Sequence, residues 1–141
     1  MYDAFQKMPI ILKFLTVHAT ACFFFFVAAV IPGIPFSFNG EVMSYTETWS
    51  SGAGMFTVYI GLAMPFCAWL MLKRKTYSRQ IYLFVLISVL IAPYLYWKDF
   101  TSIIFGVILT ILIAGYMFGK PSVRSYFLIN NALQPTAGSD D

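Results

Sequence analysis

His18 is the one ionisable side chain well inside an apolar run of this chain. Ionisable groups at membrane depth are costly, so one that persists there marks a functional site by default. Imidazole titrates near neutrality and could relay a proton or hold a ligand. A quieter use is a clamp between helices. Ser88 and Thr110 fall within about one helical turn of the same depth at 1.5 Å rise per residue. A hydrogen bond among the three would satisfy a neutral imidazole, a contribution of about 1 kcal/mol between membrane helices. The clamp is the expected role.

Other reactive types are sparse. Glu41, Glu47 and Asp99, with Tyr94 and Tyr96, would gather at one membrane face and could act on lipid headgroups there. They lack a nucleophile beside a base and a phosphate-cradling loop, so solvated loop charges are the expectation. Cys22 and Cys67 form no CxxC and no Cys/His cluster. With their helices aligned by the ends, the thiols sit about 9 Å apart in depth at that rise. That separation disfavours a disulfide, and the pair reads as small packing residues. One histidine offers one ligand, so no metal, haem or other cofactor is expected and no catalytic residue is assigned.

The elements that must position these groups follow from composition. Of 141 residues, 60% are hydrophobic and only 11% charged, too little polar surface for a soluble domain of this size. The chain reads as an all-α integral membrane protein. Its net charge of +3 does not point to nucleic acid, because the cations flank apolar runs instead of lining one polar helix. Lys73-Arg74-Lys75-Thr76-Tyr77-Ser78-Arg79 is a basic island between two such runs. Charges this dense cannot sit in hydrocarbon, so the island is a turn between two crossings.

Four spans are predicted at 10–31, 53–72, 80–97 and 102–119, each near the 20 residues a crossing needs. The first reads as a span and not a signal peptide because its apolar core is long. Pro65 should kink the second or free a carbonyl. The third ends in Pro93-Tyr94-Leu95-Tyr96-Trp97, an aromatic belt. Ala53, Thr57 and Gly61 step by four, as do Gly106, Thr110 and Ala114, and Gly115 and Gly119 complete a GxxxG. Small residues at this spacing let helices approach closely, in the same chain or another.

The one sizeable segment outside the membrane runs from Pro32 to Gly52. Asn39-Gly40 predicts a two-residue β-hairpin turn, with Phe38 opposite Glu41, Phe36 opposite Met43 and Ile34 approaching Tyr45. Ser44-Tyr45-Thr46-Glu47 has capping-box spacing and predicts a short helix through Trp49. This loop is a lid over helix ends or a recognition face made by Phe36, Phe38, Glu41, Tyr45, Glu47 and Trp49. After the fourth span, residues 122–133 could form a short amphipathic helix in the headgroup region. Residues 134–141 read as a disordered tail.

Eight cations, Lys7, Lys13, Lys73, Arg74, Lys75, Arg79, Lys120 and Arg124, fall on one side of this four-span scheme, with Lys98 alone on the other. The scheme therefore puts both termini in the cytoplasm of a bacterial inner (plasma) membrane. The cations would attract anionic lipid at that face at about 1 kcal/mol each.

Three functional readings remain. The first is an accessory, regulatory or protective (immunity-type) subunit that binds another membrane protein. The second is a homo-oligomeric transporter or channel for a small hydrophobic or lipid-like solute, because a lone four-helix bundle encloses no lumen. The third is a lipid-modifying enzyme at the outer face. The first is preferred, with lipids and a membrane protein or a second copy as partners.

Overall fold

The computed structural model describes residues 1–34, 36–38 and 41–128. In chain order these form α1 (Tyr2–Gln6), α2 (Ile10–Ala21), α3 (Phe23–Val30), β1 (Phe36–Phe38), β2 (Glu41–Met43), α4 (Tyr45–Ser50), α5 (Ala53–Leu72), α6 (Ser78–Leu90), α7 (Ala92–Tyr96), α8 (Phe100–Gly119) and α9 (Pro121–Leu128). The chain is mostly helical, and four stretches are long and apolar enough to cross a membrane: Ile10–Val30, Ala53–Leu72, Ser78–Tyr96 and Phe100–Gly119. This fits a multi-pass membrane protein.

Two of the four are interrupted. At Cys22 the helix tightens into a turn, with the Phe25 amide donating to the Cys22 carbonyl at 2.9 Å, the short-range bond of a 3₁₀ step. The third stretch breaks at Ile91, where φ is −120°, because Pro93 supplies no amide to the preceding turn and its ring crowds the carbonyl four residues back. Pro65 behaves differently. α5 runs through it unbroken, and the carbonyl left without its helical partner is that of Gly61.

The tight turns after α5 and α7 share one device. The Arg74 amide donates to Met71 at 3.0 Å and the Lys75 amide to Leu70 at 3.3 Å. Likewise Lys98 donates to Leu95 at 3.4 Å and Asp99 to Tyr94 at 3.0 Å. Both are Schellman caps, whose hinge residue takes the left-handed conformation that glycine adopts freely. Here the hinges are Arg74 at φ 52° and Lys98 at φ 56°.

β1 and β2 pair antiparallel, with Phe36 opposite Met43, Ser37 opposite Val42 and Phe38 opposite Glu41. The Asn39-Gly40 turn lies outside the described residues, as does the 134–141 tail. Tyr45 does not extend the strand towards Ile34. Ser44 ends it by capping α4, accepting from the Glu47 amide at 3.3 Å while Glu47 accepts from the Ser44 amide at 2.8 Å. Reciprocal capping satisfies two amides at once, and this decides the competition for Tyr45 in favour of the helix.

The spans group as two intimate pairs. A β-carbon on Gly61 of α5 would lie 2.4 Å from the Phe26 nitrogen of α3, and one on Gly106 of α8 would lie 2.4 Å from the Leu90 carbonyl of α6. Both contacts fall in the half of the molecule nearer α4 and α7, the loop end. At the opposite, basic end the buried residues are large: Leu12, Met71, Tyr82, Met117 and Phe127 belong to one continuous core. α9 closes this core from below. Val123, Tyr126 and Phe127 are buried in it, and the Tyr126 hydroxyl donates to the Met71 carbonyl at 3.3 Å. The apolar face of α9, expected in the headgroups, is thus spent on the protein.

The same register revises the depth of the cysteines. With Phe26 against Gly61 and Thr16 hydrogen-bonded to the Met71 sulfur at 3.8 Å, Cys22 comes level with position 65. That leaves it about 3 Å in depth from Cys67 at 1.5 Å per residue. The expected separation assumed that the helices start flush, whereas α2 begins several residues beyond the end of α5. Both thiols are buried and free.

Candidate functional site: an aromatic cleft between two helix pairs

The expected clamp of His18, Ser88 and Thr110 is not formed. The buried side of α2 is Leu12, Leu15, Thr16 and Ala19; His18 lies about 200° around the helix from Thr16 at 3.6 residues per turn. It is exposed and stacks on Phe14 with ring centroids 6.4 Å apart. The Ser88 hydroxyl instead meets the Tyr59 hydroxyl at 2.6 Å and donates to the Val85 carbonyl at 2.7 Å. Thr110 is buried against α6 with its hydroxyl unpartnered.

Two of the acids are committed to helix starts. Glu47 also accepts from the Ser44 hydroxyl at 2.8 Å, and the Asp99 carboxylate accepts from the Ser102 amide at 3.3 Å and hydroxyl at 2.5 Å. The hydrogen bonds from Ser44 hold Glu47 below the usual glutamate range, and those from Ser102 do the same for Asp99. Neither is poised to donate a proton at neutral pH. Glu41, Phe36 and Phe38 are described here by strand register alone.

The small-residue stripes are largely consumed inside the chain. Ala53, Thr57 and Gly61 are buried against the first span, and Gly106 and Thr110 against the third, with Ala114 half-buried. Gly115 and Gly119 face open space, with nothing within 4 Å of where a β-carbon would stand. In the segment between the first two spans, Trp49 meets Tyr45 at a tilt with ring centroids 6.2 Å apart and lies over Gly54, where a β-carbon would fall 3.0 Å from its ring. Trp49 therefore packs over the start of α5, and Tyr45 is left exposed.

What the sequence reading did not single out is the space between the pairs at the loop end. A cavity of about 320 Å³ is lined by Ser51, Gly52, Phe56, Ala92, Pro93, Tyr96 and Trp97. A second, of about 160 Å³, continues it inward past Phe25, Thr57, Ile60 and Tyr94 and shares Phe56, Pro93 and Trp97 with the first. Phe56 and Trp97 meet edge to face at 6.4 Å across the shared wall, and Tyr94 and Tyr96 abut Trp97 at 6.4 and 6.3 Å. The cleft owes its shape to two sequence features read separately. Gly52 in the left-handed conformation at φ 82° starts α5, and the break before Pro93 swings α7 and its aromatics across from it.

The larger cavity lies within the range that small-molecule sites occupy, and apolar walls with a few polar groups at the mouth are their usual composition. Here the walls are rings and aliphatic carbons, and polarity is confined to Ser51 and the Tyr96 and Trp97 tips. Among the described residues no three histidine, cysteine or carboxylate side chains come together as metal ligands. The arrangement can hold an apolar or ring-bearing molecule. No family model, no curated protein and no solved structure matches this chain.

Proposed function

We propose that this chain acts by binding within the membrane, and that its ligand is an apolar, lipid-like molecule held in the aromatic cleft between α5 and α7. One observation carries the reading: two connected, ring-lined cavities share Phe56, Pro93 and Trp97 at the loop end. The contacts of Phe26 with Gly61, Tyr59 with Ser88, and Leu90 with Gly106 each pair a residue late in one span with one early in the next, or the reverse. That pattern supports an antiparallel four-helix bundle whose outer loop is a β-hairpin leading into a helix. The eight clustered cations support cytoplasmic termini in an inner (plasma) membrane, which puts the cleft at the outer face.

The test is photolabelling in proteoliposomes with a lipid carrying a diazirine on its acyl chain. Labelled peptides should concentrate in 51–60 and 92–97, and Trp97→Ala or Phe56→Ala should cut that labelling severalfold. Labelling spread evenly over the lipid-facing side of α8, unchanged in both variants, would overturn the reading.

A second reading, an accessory or protective subunit for another membrane protein, is favoured by the bare Gly115 and Gly119 strip, where a foreign helix could approach closely. Native mass spectrometry after gentle extraction separates the two. A stoichiometric second protein supports the subunit, and a retained lipid-sized adduct supports the cleft.

A further inference from the structure

The turn between the second and third spans buries part of two guanidinium groups without giving either a counter-charge. The Arg74 Cζ lies 4.8 Å from the centre of the Tyr126 ring; the Arg79 Cζ lies 5.1 Å from that of Phe118 and 5.4 Å from that of Phe127. One Arg79 Nη donates to the Met117 carbonyl at 3.4 Å. The Nε of each arginine is buried with no hydrogen-bond partner, and neither forms an ion pair among the described residues. Both side chains are only half-buried, but a buried N–H donor left without an acceptor still carries a desolvation cost.

The rings against the guanidiniums relieve part of that cost, but only on one side. A guanidinium offers its face to an aromatic ring and its edge, a fork of N–H donors, to an anion. In this fold the faces are occupied by α9 and the end of α8, and the Nε of each fork still lacks an acceptor. The oxyanion that such a fork fits best is a phosphate or carboxylate, taken in bidentate fashion.

We propose that Arg74 and Arg79, held from behind by Tyr126, Phe127 and Phe118, form a binding site for the phosphate of an anionic lipid headgroup. Phe118 and Tyr77 are left partly exposed beside the site, an apolar flank suited to acyl chains. Lys120, over the Tyr116 ring at 5.6 Å, adds a neighbouring charge. The bound headgroup would complete the docking of α9, because the arginines it neutralises are those that α9 covers. This site stands at the opposite end from the aromatic cleft and does not depend on it.

Native mass spectrometry of the full-length protein, exchanged into nanodiscs of phosphatidylglycerol or phosphatidylcholine, tests the proposal. Phosphatidylglycerol should be retained over phosphatidylcholine by roughly tenfold or more, the scale set by two basic residues near an anionic surface. The preference should vanish in Arg74→Gln/Arg79→Gln and survive in Lys75→Gln. It should also fall in Arg74→Lys/Arg79→Lys, which keeps the charge and loses the fork. An equal loss from Lys75→Gln, or an undiminished preference in the double glutamine variant, would overturn the site in favour of diffuse attraction.

Inorganic phosphate is the competitor that identifies the source. Displacement of the lipid at millimolar phosphate assigns the site to soluble phosphate, and resistance assigns it to the headgroup. Should the double variant fail to fold, hydrogen exchange on the unmodified protein decides: amides of Pro121–Leu128 should slow on adding phosphatidylglycerol and not phosphatidylcholine, and no slowing refutes the proposal.

Discussion

Gly61 and Phe26 touch through their backbones: a β-carbon at position 61 would stand 2.4 Å from the Phe26 nitrogen and 2.8 Å from its Cα. No side chain fits there without moving one helix away from the other. Gly61→Ala should therefore lower the thermal midpoint in detergent, with a cost of about 1–3 kcal/mol for overpacking, and Gly61→Leu should prevent the pair from forming. Gly115→Ala, with open space beside it, is the matched control and should leave the midpoint unchanged or raised.

Lys98 sits at φ 56° as the hinge of a Schellman cap. A side chain in that conformation costs about 1–2 kcal/mol that glycine does not incur. Lys98→Gly should raise stability by about 1 kcal/mol against these estimates, seen as a higher melting midpoint. A fall would mean that the lysine side chain supports the turn in some further way.

The 2.6 Å contact of the Tyr59 and Ser88 hydroxyls joins the second and third spans. Hydrogen bonds between membrane helices couple by about 0.6 kcal/mol on average, so Tyr59→Phe and Ser88→Ala should each destabilise slightly. A double-mutant cycle should return a coupling of that size, and zero coupling would place the two hydroxyls apart in the membrane.

Acid should loosen the loop end first. Glu47 and Asp99 both titrate below their ordinary values in the folded chain because serine donors favour the charged form. A depressed carboxylate stabilises fully above its unfolded pKa, near 4.5 for Glu47 and 3.8 for Asp99, and the contribution is lost as pH falls through the folded value. Trp49 fluorescence, followed from pH 7 to pH 3, should change only below the ordinary glutamate range. In Glu47→Gln that step should disappear, since no group at that position titrates.

Topology is testable by thiol labelling. Ser37 and Lys75 are exposed, so Ser37→Cys should react with an impermeant maleimide added to cells and Lys75→Cys only after permeabilisation. Ser78, the obvious polar choice beside Lys75, is fully buried and donates to the Lys75 carbonyl at 2.6 Å; a thiol there would be silent from both sides.

Much of this architecture is legible from composition. Span lengths depend on hydrocarbon thickness, and α5 begins and ends at the residues read from hydropathy. The capping box at Ser44 and Glu47 was readable because its chemistry is local. The register of β1 on β2 was also readable, since a tight turn fixes it; failures came where two long helices had to be aligned. His18 was matched to Ser88 and Thr110 by depth alone, and depth says nothing of the direction a residue faces around its helix. The relative depth of Cys22 and Cys67 fails for the converse reason, a flush start that α2 and α5 do not share, whereas the expectation of buried, unpaired thiols holds. The cleft is not legible because Gly52 and Pro93 lie far apart in sequence, and each has a sufficient local meaning, Gly52 as the end of the connecting segment and Pro93 as part of an aromatic belt.

The second and third spans, one from each helix pair, can be taken as two arms that meet in the basic-end core. At 1.5 Å per residue, the part of α5 beyond Met64 is an arm of about 16 Å, so a tilt of about 5° carries its tip by roughly 1.4 Å. Neither Gly61 against Phe26 nor Gly106 against Leu90 would be disturbed, since each contact lies within one arm. Such a tilt would load the Tyr59–Ser88 hydroxyl contact, which crosses between the pairs, so that one bond holds the spacing at Trp97 on which the width of the cleft depends.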